Sequence, residues 1–181
     1  LNELTTGTNG AFELNGKGVY VPIVKLVRQV RRTWLHDQPG GLFFEIMTYW
    51  AFINDQITGN SVAEYLTLTL EAIAKMLPDV YENGLDDPTM EGKKISSKAI
   101  DSDYESAINN IGEAAKLARD ALNGEEDCRS ALKWQKLLGK NTDDDDVFPM
   151  PSYCNADGTR KSTSSVTSGS TTVPAGSGRY A

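Results

Sequence analysis

The chain has 181 residues, 39% of them apolar and 8% aromatic, which is enough for one domain with a hydrophobic core. The 18 basic and 25 acidic residues give a net charge of −7, which disfavours broad non-specific binding to nucleic acid, because that binding depends on neutralised phosphates. Cys128 and Cys154 fit no metal-ligand spacing and no disulfide framework, and the longest apolar stretch, 42–53, is too short to cross a bilayer. We therefore expect a cytoplasmic protein, in a reducing compartment and without a membrane partner.

The chain begins with a polar, glycine-rich segment over 1–21, for which we expect irregular coil or a short strand. Apolar residues then recur at helical spacing and predict an all-α bundle of about five helices over 22–140. Ser61 with Glu64 and Ser102 with Glu105 have the form of capping boxes, which mark the start of two of these helices. The predicted helices cover about 22–36, 42–51, 61–77 (before Pro78), 102–122 and 125–138.

The composition changes after the predicted bundle. Residues 141–158 are acidic and contain proline, and fourteen of the residues in 159–181 are Ser, Thr or Gly. The last segment has too little apolar surface to offset its ordering entropy, so we predict a flexible, disordered C-terminal tail.

One face of the first predicted helix carries Lys25, Arg28 and Arg32 at i, i+3 and i+7. Such a stripe can hold a triphosphate, and the alternative interpretation is a solvated basic face. Asp86-Asp87 and the acidic run 143–146 could be read as metal sites, because hard cations need several oxygen ligands. For the run, a solvated loop is the better explanation. His36 and Asp37 follow at the helix end without a suitable nucleophile. These motifs predict no catalytic constellation and no metal site in the chain itself.

Several short motifs resemble a known family. They are VPIVKLVR (21–28), PGGLFFEIMTYWAF (39–52) and LDDPT (85–89), followed by a long helix over 107–122. In this order and spacing, over about 20–124, they resemble the helical C-terminal half of bacterial cGAS/DncV-like (oligoadenylate-synthase-like) nucleotidyltransferases. Bacterial members make cyclic oligonucleotides as antiviral second messengers. The resemblance implies the C-terminal nucleotide-cleft domain of a cyclic-oligonucleotide synthase, which transfers nucleotidyl groups from triphosphates such as ATP.

The resemblance also implies roles for single residues. Arg28 and Lys25 match the basic residues that hold the donor triphosphate, and Arg32 continues their stripe. The nucleotide-facing turn falls on Gly40, Gly41 and Leu42, where relatives often carry a polar residue and an aromatic one, and Phe43 is adjacent to it.

The catalytic machinery of such an enzyme is expected elsewhere. The Mg²⁺-binding acids belong to an N-terminal nucleotidyltransferase half, a partner that this chain does not supply. The first residue is Leu1 rather than methionine, which is compatible with a processed product or a fragment.

The tail has two interpretations. Some bacterial synthases of this group have a flexible C-terminus that a ubiquitin-transfer-like partner enzyme joins to a target, and a polar linker ending at Ala181 resembles such a substrate. An ordinary disordered end is the other interpretation.

Two alternatives for the whole chain stay open at this point. One is a stand-alone helical protein-interaction module without catalysis, whose basic stripe meets an acidic protein. The other is half of a polyadenylating or other linear polymerase, which has the same division into domains.

Overall fold

The computed structural model describes residues 2–35, 38–95 and 97–162, and most of their regular structure is helical. Two short antiparallel hairpins, β1 with β2 and β3 with β4, interrupt the helices. The elements in chain order are α1 (Asn2–Ala11), β1 (Glu13–Leu14), β2 (Lys17–Gly18), α2 (Tyr20–Trp34), α3 (Gly41–Asn54), α4 (Val62–Asn83), β3 (Leu85–Asp86), β4 (Lys94–Ile95), α5 (Asp101–Leu122) and α6 (Asp127–Leu138).

The predicted all-α class is confirmed, and the amphipathic pattern that predicted it places the core. Ile23, Val27 and Val30 form the buried face of α2. Helix α3 is apolar on nearly all sides and is buried by its neighbours α2 and α4, while α4 packs along α5 and α5 against α6. Because the apolar face of α2 points into this core, the opposite, cationic face lies at the surface.

The N-terminal segment differs in part from its prediction. Irregular coil or a short strand was expected, and the hairpin β1–β2 consists of two short strands, but residues Asn2–Ala11 form the helix α1. The side chain of Asn9 accepts a hydrogen bond from the Val21 backbone N–H at 3.0 Å, which joins α1 to the first turn of α2. This tertiary contact explains a helix in a segment with two glycines, which have low intrinsic helix propensity.

Helix α4 continues beyond its predicted end. Pro78 was expected to stop it, but the helix includes Pro78 and ends at Asn83. Proline within a helix loses one backbone hydrogen bond and costs about 3 kcal/mol. Leu77 and Val80 flank it and are both buried, so packing against the core offsets the cost.

The two predicted capping boxes have different outcomes. At α4 the Ser61 hydroxyl accepts the Glu64 N–H at 3.1 Å, as predicted, although the Glu64 carboxylate bonds the N–H of Asn60. At α5 the prediction was wrong, because the helix begins before Ser102 and the Asp103 carboxylate accepts the N–H of Ile100 at 2.9 Å.

Two further corrections concern the C-terminal part. Cys128, at the start of α6, and Cys154 form a disulfide with a Cα–Cα distance of 5.4 Å, so the expectation that these cysteines fit no disulfide framework was wrong. Residues 159–162, expected within the flexible tail, pair with the chain before them, since Lys161 N–H donates to Tyr153 O at 2.9 Å. The rest of the predicted tail, Ala181 included, lies outside the described residues, as do His36 and Asp37.

None of the helices described is long and apolar enough to cross a membrane.

Candidate functional site

An open cavity of about 390 Å³ lies beside the exposed face of α2, next to the first residue of α3. Four cationic side chains line it, together with one amide and one glycine. These residues are Lys25, Arg28, Gln29, Arg31, Arg32 and Gly41. Four positive charges around one concavity in a chain of net charge −7 make this surface suited to a multiply charged anion.

The N-terminus of α3 adds to the positive potential of the cavity. Gly40 is the N-cap and Gly41 the first helical residue, so neither supplies a side chain that would cap the first turn. The N–H groups of a first helical turn have no partner within the helix and carry partial positive charge, which favours phosphate. The absence of a Cβ also lets Arg28 lie close to the turn, because a Cβ at position 41 would be 3.3 Å from Arg28 Nε.

Neighbouring groups hold three of the four cations at the cavity. Arg28 Nη1 lies 3.8 Å from the Glu45 carboxylate. Arg31 Nε donates to the carbonyl oxygen of Pro39 at 2.9 Å, in the loop that leads into α3. Arg32 donates to the side-chain oxygen of Gln29. The stripe is therefore partly ordered by protein contacts.

The structure brings together four of the six predicted binding residues: Lys25, Arg28, Arg32 and Gly41. Leu42 is 53% exposed, beside the cavity but outside its lining. Phe43 is buried, with its ring edge-on to Tyr104 at a centroid distance of 6.1 Å. A nucleobase cannot stack on this buried ring without a rearrangement of α3.

Sequence reasoning missed Arg31 and Gln29. At about 100° per residue, position 31 lies only about 60° around the helix from Arg28. Gln29 and Arg31 lie on either side of the Lys25, Arg28 and Arg32 stripe. A search over a wider arc of the helix surface would have included both residues, because the cavity extends around α2 as well as along it.

The acidic residues that could suggest a metal site have other partners. Asp86 forms an ion pair of 2.6 Å with Lys94. Asp87 accepts hydrogen bonds from the Thr89 hydroxyl and N–H, which lower the pKa of its carboxyl group. Over the described ranges 2–35, 38–95 and 97–162, no group of three or more His, Cys, Asp or Glu residues is placed to hold a metal ion. This part of the chain therefore does not fit a Mg²⁺ site.

Comparison with known proteins identifies a distant relative. The chain is 26% identical over 133 residues to a cyclic AMP-AMP-AMP synthase from Acinetobacter sp. (strain ATCC 27244 / 9458). The match covers 69% of this chain and 37% of that synthase. No protein-family model matches the chain. The resemblance stated from the motifs is thus supported as a distant relationship to a cyclic-oligonucleotide synthase.

Proposed function

We propose that this chain is the helical nucleotide-binding part of a nucleotidyltransferase that makes cyclic oligonucleotides from nucleoside triphosphates for antiviral signalling. The observation that carries the proposal is the cavity in which Lys25, Arg28, Arg31 and Arg32 meet the N-terminus of α3. The distant synthase relative supports the same choice of ligand. The binding proposal applies to the chain itself, and the reaction applies to the complete enzyme.

The proposed role of the cavity is to hold the triphosphate of a donor nucleotide. Arg28 and Lys25 contact phosphate oxygens through charge-assisted hydrogen bonds, which are stronger than neutral ones. Backbone N–H groups at Gly41 and Leu42 bind a further phosphate. Arg32 and Arg31 neutralise the remaining charge.

The proposed catalytic acids lie outside this chain. A separate N-terminal nucleotidyltransferase half would supply the carboxylates that bind Mg²⁺, which activates the attacking ribose hydroxyl and stabilises the leaving pyrophosphate. Residues of this chain would fix the triphosphate and exclude water from one side of the cleft. A ubiquitin-transfer-like partner acting at Ala181 remains part of the proposal.

Titration of the 181-residue chain with inorganic tripolyphosphate, ATP and AMP at low salt tests the binding proposal. We expect tripolyphosphate and ATP to bind with similar affinity and AMP much more weakly. Arg28→Ala should lower the affinity for both tripolyphosphate and ATP roughly ten- to a hundredfold, because a charge-assisted hydrogen bond is lost. Arg129→Ala is the matched control, because Arg129 is also an exposed arginine paired with a glutamate but lies outside the cavity.

Two results would contradict the proposal. One is a large loss of melting temperature in Arg28→Ala with unchanged triphosphate affinity, which would make Arg28 a structural residue. The other is phosphodiester product formed from triphosphates and Mg²⁺ by the isolated chain, since the described residues offer no grouped metal ligands.

A further inference from the structure

Gln29 uses both ends of its side-chain amide in contacts that converge at the rim of the cavity. Its Nε2 donates to the carbonyl oxygen of Leu138 at 2.5 Å and to that of Lys140 at 2.9 Å. Its Oε1 accepts a hydrogen bond from Arg32 Nη2. Backbone carbonyl oxygens can only accept hydrogen bonds, so the end of the amide that contacts them must be the NH₂ group. The amide oxygen therefore faces Arg32.

The same contacts connect Arg32 to the end of α6. Arg32 Nη2 lies 3.4 Å from the carbonyl oxygen of Lys140, just beyond the last residue of the helix, Leu138. Both acceptors of Arg32, the amide oxygen and this carbonyl, are thus held in place by the backbone that follows α6.

Removing the Gln29 amide would leave the packing of α6 on α2 largely intact. Thr33 Oγ1 donates to Leu138 O at 2.9 Å, and Trp34 Nε1 donates to Leu137 O at 3.0 Å. These two contacts attach α6 to α2 without Gln29. The effect of Gln29 on the orientation of Arg32 can therefore be separated from an effect on folding.

We propose that Gln29 is a positioning residue that holds Arg32 in the conformation in which it lines the cavity. This inference rests on the proposed function, because it assigns Gln29 a role in binding the triphosphate through Arg32. Arg32 is exposed, and a free arginine side chain loses much rotamer entropy when it binds a ligand. The tether to Gln29 and Lys140 O restricts Arg32 before the phosphate arrives and reduces that loss.

A double-mutant cycle on the full chain tests the inference, with inorganic tripolyphosphate as the probe. Arg32→Ala should weaken binding, and Gln29→Ala should weaken it roughly three- to tenfold, the cost of ordering one long side chain on binding. In the Arg32→Ala background, Gln29→Ala should have less than about a twofold effect, because the two residues act as one unit. If the alanine variant unfolds, Gln29→Met replaces it, because methionine keeps the length of the side chain and lacks the amide; it should show the same roughly three- to tenfold weakening.

Gln135→Ala is the matched control. Gln135 also links α6 to the segment that follows it, through a 2.7 Å hydrogen bond to Asp146, but it does not line the cavity. We expect unchanged tripolyphosphate affinity in this variant.

Three outcomes would overturn the inference. The first is equal weakening by Gln29→Ala with and without Arg32, which would indicate direct contact with the phosphate or a general structural role. The second is unchanged affinity in both Gln29 variants while Arg32→Ala weakens binding. The third is an Arg32→Ala variant with full affinity, which leaves Arg32 without a role in binding. None of these outcomes contradicts the proposed function as long as Arg28→Ala weakens the binding of tripolyphosphate. Failure of the inference about Gln29 can therefore be distinguished from failure of the proposed function.

Discussion

Arg28 lies between two groups of α3 that are one helical turn apart, the Cα of Gly41 and the carboxylate of Glu45. The ion pair between Arg28 Nη1 and Glu45 Oε2 measures 3.8 Å, and the Arg28 side chain is 57% exposed. An exposed pair at this distance contributes little to stability. Its effect on a bound anion is larger, because Glu45 places a negative charge beside the proposed phosphate site.

Replacement of Glu45 by Gln should therefore strengthen the binding of tripolyphosphate. Two unit charges 4 Å apart in water interact by about 1 kcal/mol, and salt screens this further. We expect the affinity to rise by up to roughly fivefold at low salt and the gain to shrink as salt increases. Glu113→Gln is the control, since Glu113 pairs with exposed Lys116 on α5, away from the cavity. Weaker binding in Glu45→Gln would contradict this prediction.

Gly41→Ala should separate binding from stability. The new Cβ would lie 3.3 Å from Arg28 Nε and 3.5 Å from its Nη2, so the guanidinium must shift slightly from its position beside the first turn of α3. We expect triphosphate affinity to fall roughly two- to tenfold, the cost of reordering one side chain. Folding stability should not fall, because alanine favours a helix more than glycine does.

Gly112→Ala is the control for the Gly41 variant. Gly112 lies within α5, and a Cβ there would meet nothing within 4 Å. This variant should be more stable by roughly 0.5–1 kcal/mol, with unchanged triphosphate affinity. Thermal denaturation and tripolyphosphate titration of both variants give the comparison. Unchanged affinity in Gly41→Ala would show that Arg28 does not depend on the glycine.

The sequence predicted those features that depend on local pattern. Apolar spacing predicted helices at the positions of α2 and α5, and the cation spacing on α2 identified Lys25, Arg28 and Arg32, which the structure brings to one cavity. The length of α4 beyond Pro78 could not be predicted in this way, because the burial of the residues around the proline is a tertiary effect.

Contacts between distant segments were also beyond local pattern. The Cys128–Cys154 disulfide joins residues 26 positions apart in sequence, and only the fold brings them together. The same is true of Gln29, whose partners Leu138 and Lys140 are more than a hundred residues away. Phe43 is buried with its ring edge-on to that of Tyr104, which lies on α5, more than sixty positions further along the chain.

A pH-dependent prediction concerns Asp87 in the turn between β3 and β4. Hydrogen bonds from the Thr89 hydroxyl at 2.6 Å and from its N–H at 2.7 Å lower the Asp87 pKa. A lowered pKa stabilises the folded state above the pKa of the unfolded chain, and this stability is lost as the pH falls through the folded value. Thr89→Val removes the hydroxyl bond only, so the Asp87 pKa should rise part of the way to its ordinary value.

A second turn of the same kind provides the control for this titration. Asp157 accepts the Thr159 hydroxyl at 2.6 Å and N–H at 2.9 Å, and its pKa is also lowered by these bonds. In an NMR titration of the carboxyl carbons, Thr159→Val should raise the pKa of Asp157 and leave Asp87 unchanged. An Asp87 pKa that does not move in Thr89→Val would mean that the N–H bond alone accounts for the shift.

The disulfide attaches the segment after α6 to the first turn of that helix. Cys128 and Cys154 are both buried, and Gly158 continues the contact, because a Cβ there would lie 3.0 Å from Leu132 of α6. At the other end of α6, Gln29 and Thr33 bind the carbonyl of Leu138. The two ends of the helix are therefore fixed by independent contacts.

Removal of the disulfide should lower stability and leave the proposed phosphate site in place. Cross-linking residues 26 apart restricts the unfolded chain, and the Cys128→Ser/Cys154→Ser variant should lose roughly 3–4 kcal/mol of unfolding free energy. Urea denaturation of the wild type and variant, each with and without a dithiol reductant, measures this loss. The reductant should destabilise the wild type alone, and tripolyphosphate affinity in the absence of urea should match between the two proteins, because the cavity contacts lie at the opposite end of α6. A wild-type midpoint that the reductant does not change would contradict a stabilising disulfide.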